Sequence, residues 1–178
     1  IGFPLNVRKC LTYVSGKYVF TLSDDDFILD DNTLSIILKN MKKYKVGMAN
    51  IGAIYWSSSP KHPCKFYILS DKLIVLDPKK DREVFLKALK INYYFYSGHV
   101  FDSSYIDPNN VTESYGHSFF PLIFEIIKKR GLVFIPNHFI IARISLRFIP
   151  HMLNIDRLGS FIMNDYLSLM KNYLRGKD

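Results

Sequence analysis

Three consecutive aspartates, Asp24, Asp25 and Asp26, are the residues whose type and spacing most directly suggest chemistry. Three adjacent negative charges repel one another, and a divalent cation bound by their oxygen atoms would offset that repulsion. A phosphate-bearing substrate would then complete the coordination of the cation. A solvated acidic turn that caps the next helix explains the same run without any ligand. The residues alone leave both interpretations open.

The elements around the acidic run place it at the end of a strand. Residues 17–22 alternate and are rich in β-branched and aromatic types, which predicts a buried strand that ends at the aspartates. In open α/β sheets, ligands bind beyond the carboxyl ends of strands. A helix is predicted before the strand, with Gly16 as its stop, and another after it, capped by Asp30 or Asp31. The inward faces of these helices are predicted to be Val7, Cys10, Leu11 and Val14, and Leu34, Ile37, Leu38 and Met41.

The rest of the sequence alternates between strand and helix patterns, as is typical of an α/β domain. Strands are predicted at 46–56, 66–69, 73–76, 132–135 and 139–144, and the second and third of these form a hairpin that turns at 70–71. Helices are predicted from Asp81, from Thr112 or Ser114 as far as Gly131, and over 158–173. The last helix is amphipathic and is expected to dock on its own domain or on a partner subunit, as in a homo-oligomer. Attachment to a membrane surface is the alternative.

The composition indicates a globular domain. At 178 residues the chain is long enough for one domain, and 48% of its residues are hydrophobic and 22% charged. No apolar run reaches the roughly 18 residues that span a bilayer. Two cysteines, Cys10 and Cys64, are too few for a disulfide framework, so a reducing cytoplasm is the expected location. The net charge of +8 is dispersed and no nucleic-acid-binding motif accompanies it, so we expect no nucleic-acid partner.

Three short motifs give the sequence a family resemblance. They are Gly2-Phe3-Pro4-Leu5-Asn6, Ser15-Gly16-Lys17-Tyr18-Val19 and Leu22-Ser23-Asp24-Asp25-Asp26, and an apolar helix follows them. In this order they resemble the family-2 glycosyltransferases, and within them the abequosyltransferase-like enzymes of surface-polysaccharide synthesis. The resemblance implies an α/β fold of the GT-A type, a Rossmann-like mixed sheet flanked by helices. It also implies that residues 1–150 form the C-terminal portion of such a domain, without its first βα units, and that residues 151–178 form the amphipathic helix.

The same resemblance assigns a donor site. Asp24 would contact the ribose or phosphate side of a nucleotide-sugar donor. Asp25 would ligate Mn²⁺ or Mg²⁺, and Asp26 would support the ion directly or through water.

Two further pairs of residues match the family's donor pocket. Asn6 and Arg8 match helix positions that face the pocket, although Arg8 fits a solvated helix face equally well. Ser97 and Gly98 match the loop that closes under the sugar, where glycine permits a close backbone approach.

An inverting transfer also needs a base that takes the proton from the acceptor hydroxyl. The family supplies it from a Glu-Asp pair at the start of the helix after the Ser-Gly loop, and this sequence has no such pair there. Glu113 and His117 are the nearest candidates, since histidine titrates near neutrality. A carboxylate that favours the helix dipole and an ordinary polar helix residue are the alternative interpretations of these two. Further candidates are Asp102 and Asp107 for the base, and Arg143 and Arg147 for an acceptor phosphate.

The resemblance therefore predicts a metal-dependent enzyme that transfers a sugar from a nucleotide-sugar donor to a glycan or lipid-linked acceptor, with inversion. A second hypothesis is an incomplete or non-catalytic relative that binds sugar nucleotides or partner chains. The expected lack of the first βα units and of the Glu-Asp pair supports it. A basic nucleic-acid-binding domain is the third hypothesis and predicts binding that weakens steeply with salt.

Overall fold

Two long parallel strands form the centre of the fold. The computed structural model describes residues 3–56, 65–67, 71–80, 97–112 and 119–143, all within one compact unit of the chain. Its elements are α1 (Phe3–Thr12), β1 (Tyr18–Phe20), β2 (Phe27–Ile28), α2 (Thr33–Tyr44), β3 (Met48–Trp56), β4 (Lys65–Tyr67), β5 (Ile74–Leu76), β6 (His99–Asp102), α3 (Phe120–Arg130) and β7 (Leu132–Arg143). Two short 3₁₀ turns, Ser103–Tyr105 and Pro108–Asn110, follow β6.

The described strands form one mixed sheet. β3 and β7 pair in parallel along most of their length, and short antiparallel strands line their outer edges. β6 and β4 pair with β3, whereas β5 and β2 pair with β7. β6 is antiparallel to both β1 and β3, so β1 runs in the same direction as the central strands. The acidic run therefore follows the carboxyl end of a strand, as the sequence predicts.

Helices cover both faces of the sheet. On one face, Ile37 and Met41 of α2 pack into a cluster with alternate residues of the sheet, among them Ala49, Val100 and Val133. Because neighbouring strand residues point to opposite faces, Phe101 points the other way. Its ring stacks on that of Phe119, directly before α3, with centroids 6.4 Å apart. Among the described helices, none is long and apolar enough to cross a membrane.

The two strands predicted at 132–135 and 139–144 are parts of a single strand, β7. Its pairing with β3 shifts register between Ile51, which lies opposite Ile135, and Gly52, which lies opposite Phe139. Pro136 has no backbone N–H to donate to the ladder and stands at this irregularity. The sequence pattern thus located the pairing segments correctly but divided one strand into two.

The predicted hairpin of 66–69 and 73–76 is wrong. β4 pairs with β3, and β5 pairs with β7, so the two short strands lie against different central strands. A local sequence pattern identifies a strand, but it does not identify the strand with which it pairs. Here the partners are the long central strands β3 and β7. The predicted helices that begin at Asp81 and cover 158–173 lie outside the described residues.

The buried face of α1 is narrower than predicted. Val7 and Leu11 are buried, but Cys10 is exposed and is a free cysteine, not the buried one expected. The helix ends at Thr12, and the expected stop at Gly16 comes four residues later. α1 contacts the turn Pro108–Asn110, and its buried residues Val7 and Leu11 are spaced by one helical turn.

α2 begins at Thr33, and its inward face includes that polar residue in place of a predicted leucine. The side chain of Asp30 accepts a hydrogen bond from the Asn32 N–H at 2.7 Å, so Asp30 organises the turn that leads into the helix. Ile37 and Met41 are buried as predicted, whereas Leu34 is 44% exposed. Thr33 itself is fully buried.

Thr33→Val is expected to leave the free energy of unfolding unchanged or to raise it by up to about 2 kcal/mol. The Thr33 hydroxyl is buried and finds no hydrogen-bond partner, so valine removes a desolvated polar atom and keeps the shape. The matched control is Thr21→Val, because the buried Thr21 hydroxyl donates to the His99 carbonyl at 3.2 Å. We expect that variant to lose about 1 kcal/mol in urea unfolding. Equal losses in both variants would contradict this assignment.

Candidate functional site

The acidic run forms a turn that is attached to the beginning of β6. Thr21, which follows β1, donates its N–H to the His99 carbonyl at 2.9 Å and accepts from the Gly98 N–H at 3.0 Å. The turn itself is closed by the Asp26 N–H, which donates to the Ser23 carbonyl at 3.2 Å. The backbone on either side of Asp24 and Asp25 is therefore held by hydrogen bonds.

Asp26 and Ser97, two predicted donor-site residues, are in direct contact. The Ser97 hydroxyl donates to Oδ2 of Asp26 at 2.5 Å and accepts from the backbone N–H of Ser23 at 2.8 Å. Ser97 is 2% exposed and Asp26 is 9% exposed, so this contact is shielded from water. A short hydrogen bond to a carboxylate is among the stronger kinds in proteins. The structure therefore brings the acidic turn and the Ser-Gly segment together.

Asp24 and Asp25 differ from Asp26 in their exposure, because both are exposed to solvent. Among the described residues, no three His, Cys, Asp or Glu side chains come together as a metal-binding group. Mg²⁺ commonly binds proteins through one or two carboxylates and takes its other ligands from substrate phosphates and water. Two exposed, adjacent carboxylates at a strand end fit a cation of that type, whereas a site made only of protein ligands would not fit here.

Gly98 has a backbone conformation that other residues rarely adopt. Its φ is 88°, and a Cβ atom at this position would lie 3.1 Å from Cδ1 of Ile140. Its N–H donates to Thr21, and its carbonyl accepts from the Ile51 N–H at 3.2 Å. Gly98 thus joins the acidic turn on one side to β3 on the other. The structure supplies a conformational reason for this glycine, and its predicted contact with a donor remains a prediction.

Arg8 is hydrogen-bonded to backbone carbonyls of the segment after β6. Its Nη2 donates to the Val111 carbonyl at 2.9 Å and its Nε donates to the Pro108 carbonyl at 3.3 Å, so α1 is fastened to the turn Pro108–Asn110. Asn6, two residues earlier on α1, is exposed. The predicted donor-pocket role of both residues stays a prediction, and Arg8 has a structural role that the sequence did not indicate.

Arg8→Met is expected to lower the free energy of unfolding by about 1–3 kcal/mol, because two carbonyls lose a charged donor. Lys9→Met is the matched control. The substitution removes the same positive charge, and Lys9 is exposed. We expect the control to change stability by no more than about 0.5 kcal/mol. Urea unfolding followed by circular dichroism measures both. If Arg8→Met matched Lys9→Met, the fastening role would be wrong.

The two leading candidates for the catalytic base lie outside the described residues. Glu113, His117 and the phosphate-binding candidate Arg147 all lie in undescribed segments. Asp102 and Asp107 are described, and each caps a 3₁₀ turn by accepting a backbone N–H, at 3.1 Å and 2.9 Å respectively. Arg143 is the last residue of β7 and pairs in register with Trp56.

A buried polar pair next to the site was not anticipated. Nδ2 of Asn50 lies 2.6 Å from Nδ1 of His99, and both side chains are buried on neighbouring strands. The contact joins the two side chains across neighbouring strands, and its donor is set by the tautomer of the His99 ring. The only signal in the sequence was a polar residue within each of two apolar strand patterns. The register of β3 and β6 brings the two together.

The mixed sheet with helices on both faces is a GT-A-like α/β fold. Two solved structures that share it are those of S. aureus TarS residues 1–349, in complex with UDP (TM-score 0.53) and with UDP-GlcNAc (TM-score 0.51). Each is 10% identical to this chain in sequence and covers 78% of it, whereas the matched region is 39% and 38% of those chains. This chain thus spans about two fifths of their length. No protein-family model and no curated protein matches the sequence.

Proposed function

We propose that this chain is the C-terminal portion of a metal-dependent glycosyltransferase domain, which transfers a sugar from a nucleotide-sugar donor to a glycan or lipid-linked acceptor. The observation that carries the proposal is the exposed pair Asp24 and Asp25 at the carboxyl end of β1, beside Ser97 and Gly98. The shared fold with structures that contain UDP and UDP-GlcNAc supports it. Ligands of open α/β sheets bind at this end of the strands.

In this proposal, the two exposed aspartates hold the diphosphate end of the donor. Asp25 ligates Mn²⁺ or Mg²⁺, and Asp24 contacts the ribose or phosphate side of the donor. The cation, when bound, supplies Lewis-acid stabilisation of the leaving diphosphate. Without it, the negative charge of the two carboxylates would repel the donor phosphates.

The proton of the acceptor hydroxyl goes to Glu113 or His117 in this mechanism. As that proton leaves, the acceptor oxygen bonds to the anomeric carbon and the bond from that carbon to the diphosphate oxygen breaks. A single displacement of this kind inverts the anomeric configuration. Glu113→Gln and His117→Gln, tested separately, would identify which residue accepts the proton.

The finer assignment is to family 2 and to surface-polysaccharide synthesis at the cytoplasmic side of a membrane, with peripheral membrane contact. It is supported by the three sequence motifs that end in the aspartate run. Lipid-linked acceptors are presented at membrane surfaces, which agrees with the net charge of +8.

A sugar-nucleotide-binding module without turnover is the second candidate. The observation in its favour is that the chain matches only about two fifths of the length of the TarS structures. The two candidates share the donor site and differ in chemistry. Sugar transfer or donor hydrolysis by the isolated chain would exclude the second.

Calorimetric titration of UDP, UDP-GlcNAc and GDP into the chain, with Mn²⁺ and then with EDTA, tests the proposal. We expect binding of at least one nucleotide that requires Mn²⁺, because the two carboxylates alone repel the diphosphate. Comparing UDP with GDP reports the base preference. Binding of equal affinity in EDTA would contradict the metal-dependent site, and no binding of any nucleotide would contradict a donor site in this chain.

A further inference from the structure

We propose that Asp26 is a positioning residue and not a ligand of the cation. Together with Ser97, it holds the acidic turn against the start of β6 and so directs Asp24 and Asp25 outward. The inference rests on the proposed function, because it divides the three aspartates of that same site into two roles. The family resemblance, by contrast, places Asp26 at the cation.

The Asp26 carboxylate is buried and hydrogen-bonded within the protein. It is 9% exposed, and its Oδ2 accepts the Ser97 hydroxyl at 2.5 Å. A carboxylate that binds a cation shared with a soluble substrate must present an oxygen to the space that the cation and the substrate phosphates occupy. Asp24 and Asp25 meet this condition because they are exposed, whereas Asp26 faces the protein.

The Ser97 hydroxyl makes one hydrogen bond to each end of the acidic turn. It donates to Asp26 and accepts from the Ser23 N–H at 2.8 Å, so one side chain holds both ends of the short turn. Ser97 and Asp26 are 71 residues apart in sequence. Gly98, the residue after Ser97, donates its N–H to the Thr21 carbonyl. Asp24 and Asp25 lie between these hydrogen bonds, and their side chains are exposed to solvent.

A hydrogen-bond acceptor and a cation ligand have different chemical requirements. A hydrogen-bond acceptor needs an oxygen atom at the right place, and the amide oxygen of asparagine supplies one with the same shape. A neutral amide oxygen is a much weaker ligand of Mn²⁺ than a carboxylate, because hard divalent cations favour charged oxygen atoms. Asp→Asn therefore distinguishes the two roles, and the same substitution at Asp25 calibrates the loss of a ligand.

The test is to measure Mn²⁺ affinity in the presence of saturating UDP, from the electron paramagnetic resonance signal of unbound Mn²⁺. The variants are Asp26→Asn, Asp26→Ala, Ser97→Ala and the double alanine variant. Asp25→Asn serves as the ligand reference and Asp31→Asn as the charge control, because Asp31 is exposed and lies beyond β2. Circular dichroism confirms that each variant is folded before its affinity is compared.

We expect Asp26→Asn to weaken Mn²⁺ binding by no more than about fivefold, and Asp26→Ala and Ser97→Ala each to weaken it by about tenfold, a typical cost for losing a group that orients a ligand. The loss in the double alanine variant should be smaller than the product of the two single losses, since both single variants remove the Asp26–Ser97 hydrogen bond. Asp26→Asn keeps the side-chain volume, so it decides the question should the alanine variants fail to fold.

Two results would overturn the positioning role while leaving the proposed function in place. One is a loss in Asp26→Asn as large as that in Asp25→Asn, which would make Asp26 a ligand. The other is an unchanged Mn²⁺ affinity in folded Ser97→Ala, which would make the contact a purely structural one. A wild-type chain that binds no Mn²⁺ with UDP would overturn the proposed function itself, and the positioning role with it.

Discussion

Asp25→Asn is expected to weaken Mn²⁺-dependent binding of UDP by at least about a hundredfold, since the loss of a ligand exceeds the ten- to hundredfold cost of losing a residue that supports one. Asp25 is exposed, so the substitution removes the carboxylate without creating a cavity. It also relieves repulsion from its two acidic neighbours, and the folded chain should be no less stable than the wild type. Calorimetry with and without Mn²⁺ measures the binding.

Asp31→Asn is the matched control for that prediction. Asp31 is also an exposed aspartate, only six positions further along the chain, and it lies past β2. The substitution changes the net charge by the same amount but leaves the acidic turn intact. We expect UDP affinity to stay within about twofold of wild type, because exposed charges at a distance are largely screened. Equal losses in the two variants would mean that net charge, and not a cation site, controls binding.

Gly131→Ala is expected to lower the free energy of unfolding by about 3–5 kcal/mol, the combined cost of backbone strain and overpacking. Gly131 follows α3 with a φ of 72°, in the left-handed region. A Cβ atom there would lie 2.1 Å from the backbone oxygen of Leu76 in β5, and a main-chain atom cannot rotate out of the way. β5 would have to separate from β7. Urea unfolding followed by circular dichroism measures the loss.

Gly16→Ala is the matched control for Gly131→Ala. Gly16 is exposed, and a Cβ atom there would lie 3.5 Å from the nearest heavy atom, the Tyr18 carbonyl oxygen, which is ordinary contact. We expect the free energy of unfolding to change by less than about 1 kcal/mol. If Gly131→Ala were as mild as Gly16→Ala, the close approach of Gly131 to β5 would be wrong.

The sequence was most informative where local patterns are strong. The helix that ends at Gly131 combines a wide apolar face with a run of basic residues in its last turn, and α3 has both. Its C-terminal glycine is required by a positive φ, which is the usual reason for glycine at that position. The strand before the acidic run was likewise predicted, because Tyr18, Val19 and Phe20 all favour extended backbone.

The sequence was least informative where long-range pairing decides. β4 and β5 are close in sequence, yet each lies on a different central strand. Cys10 fits a helical apolar stripe, but it is exposed in the structure, whereas Val7 and Leu11 of the same helix are buried. In both cases a partner distant in the chain sets the outcome, and the local pattern does not identify that partner.

The candidate site likewise has one feature that the local sequence predicts and one that it does not. The position of the acidic run at a strand end follows from local pattern and is seen in the structure. That Asp26 points inward while its two neighbours point outward depends on Ser97, which is 71 residues away. Three identical side chains in a row offer no local signal that would separate them, so their different environments become visible only in three dimensions.

The most direct test of a cation site at Asp24 and Asp25 is a crystal structure of the chain grown with UDP and Mn²⁺, with anomalous scattering data collected at the manganese edge. A cation site there predicts one strong anomalous peak within about 2.5 Å of an Asp25 carboxylate oxygen, with the UDP diphosphate among the other ligands of the manganese. The Asp26 carboxylate should remain on Ser97. A peak bound to Asp26 instead, or UDP bound with no metal at the acidic turn, would contradict it.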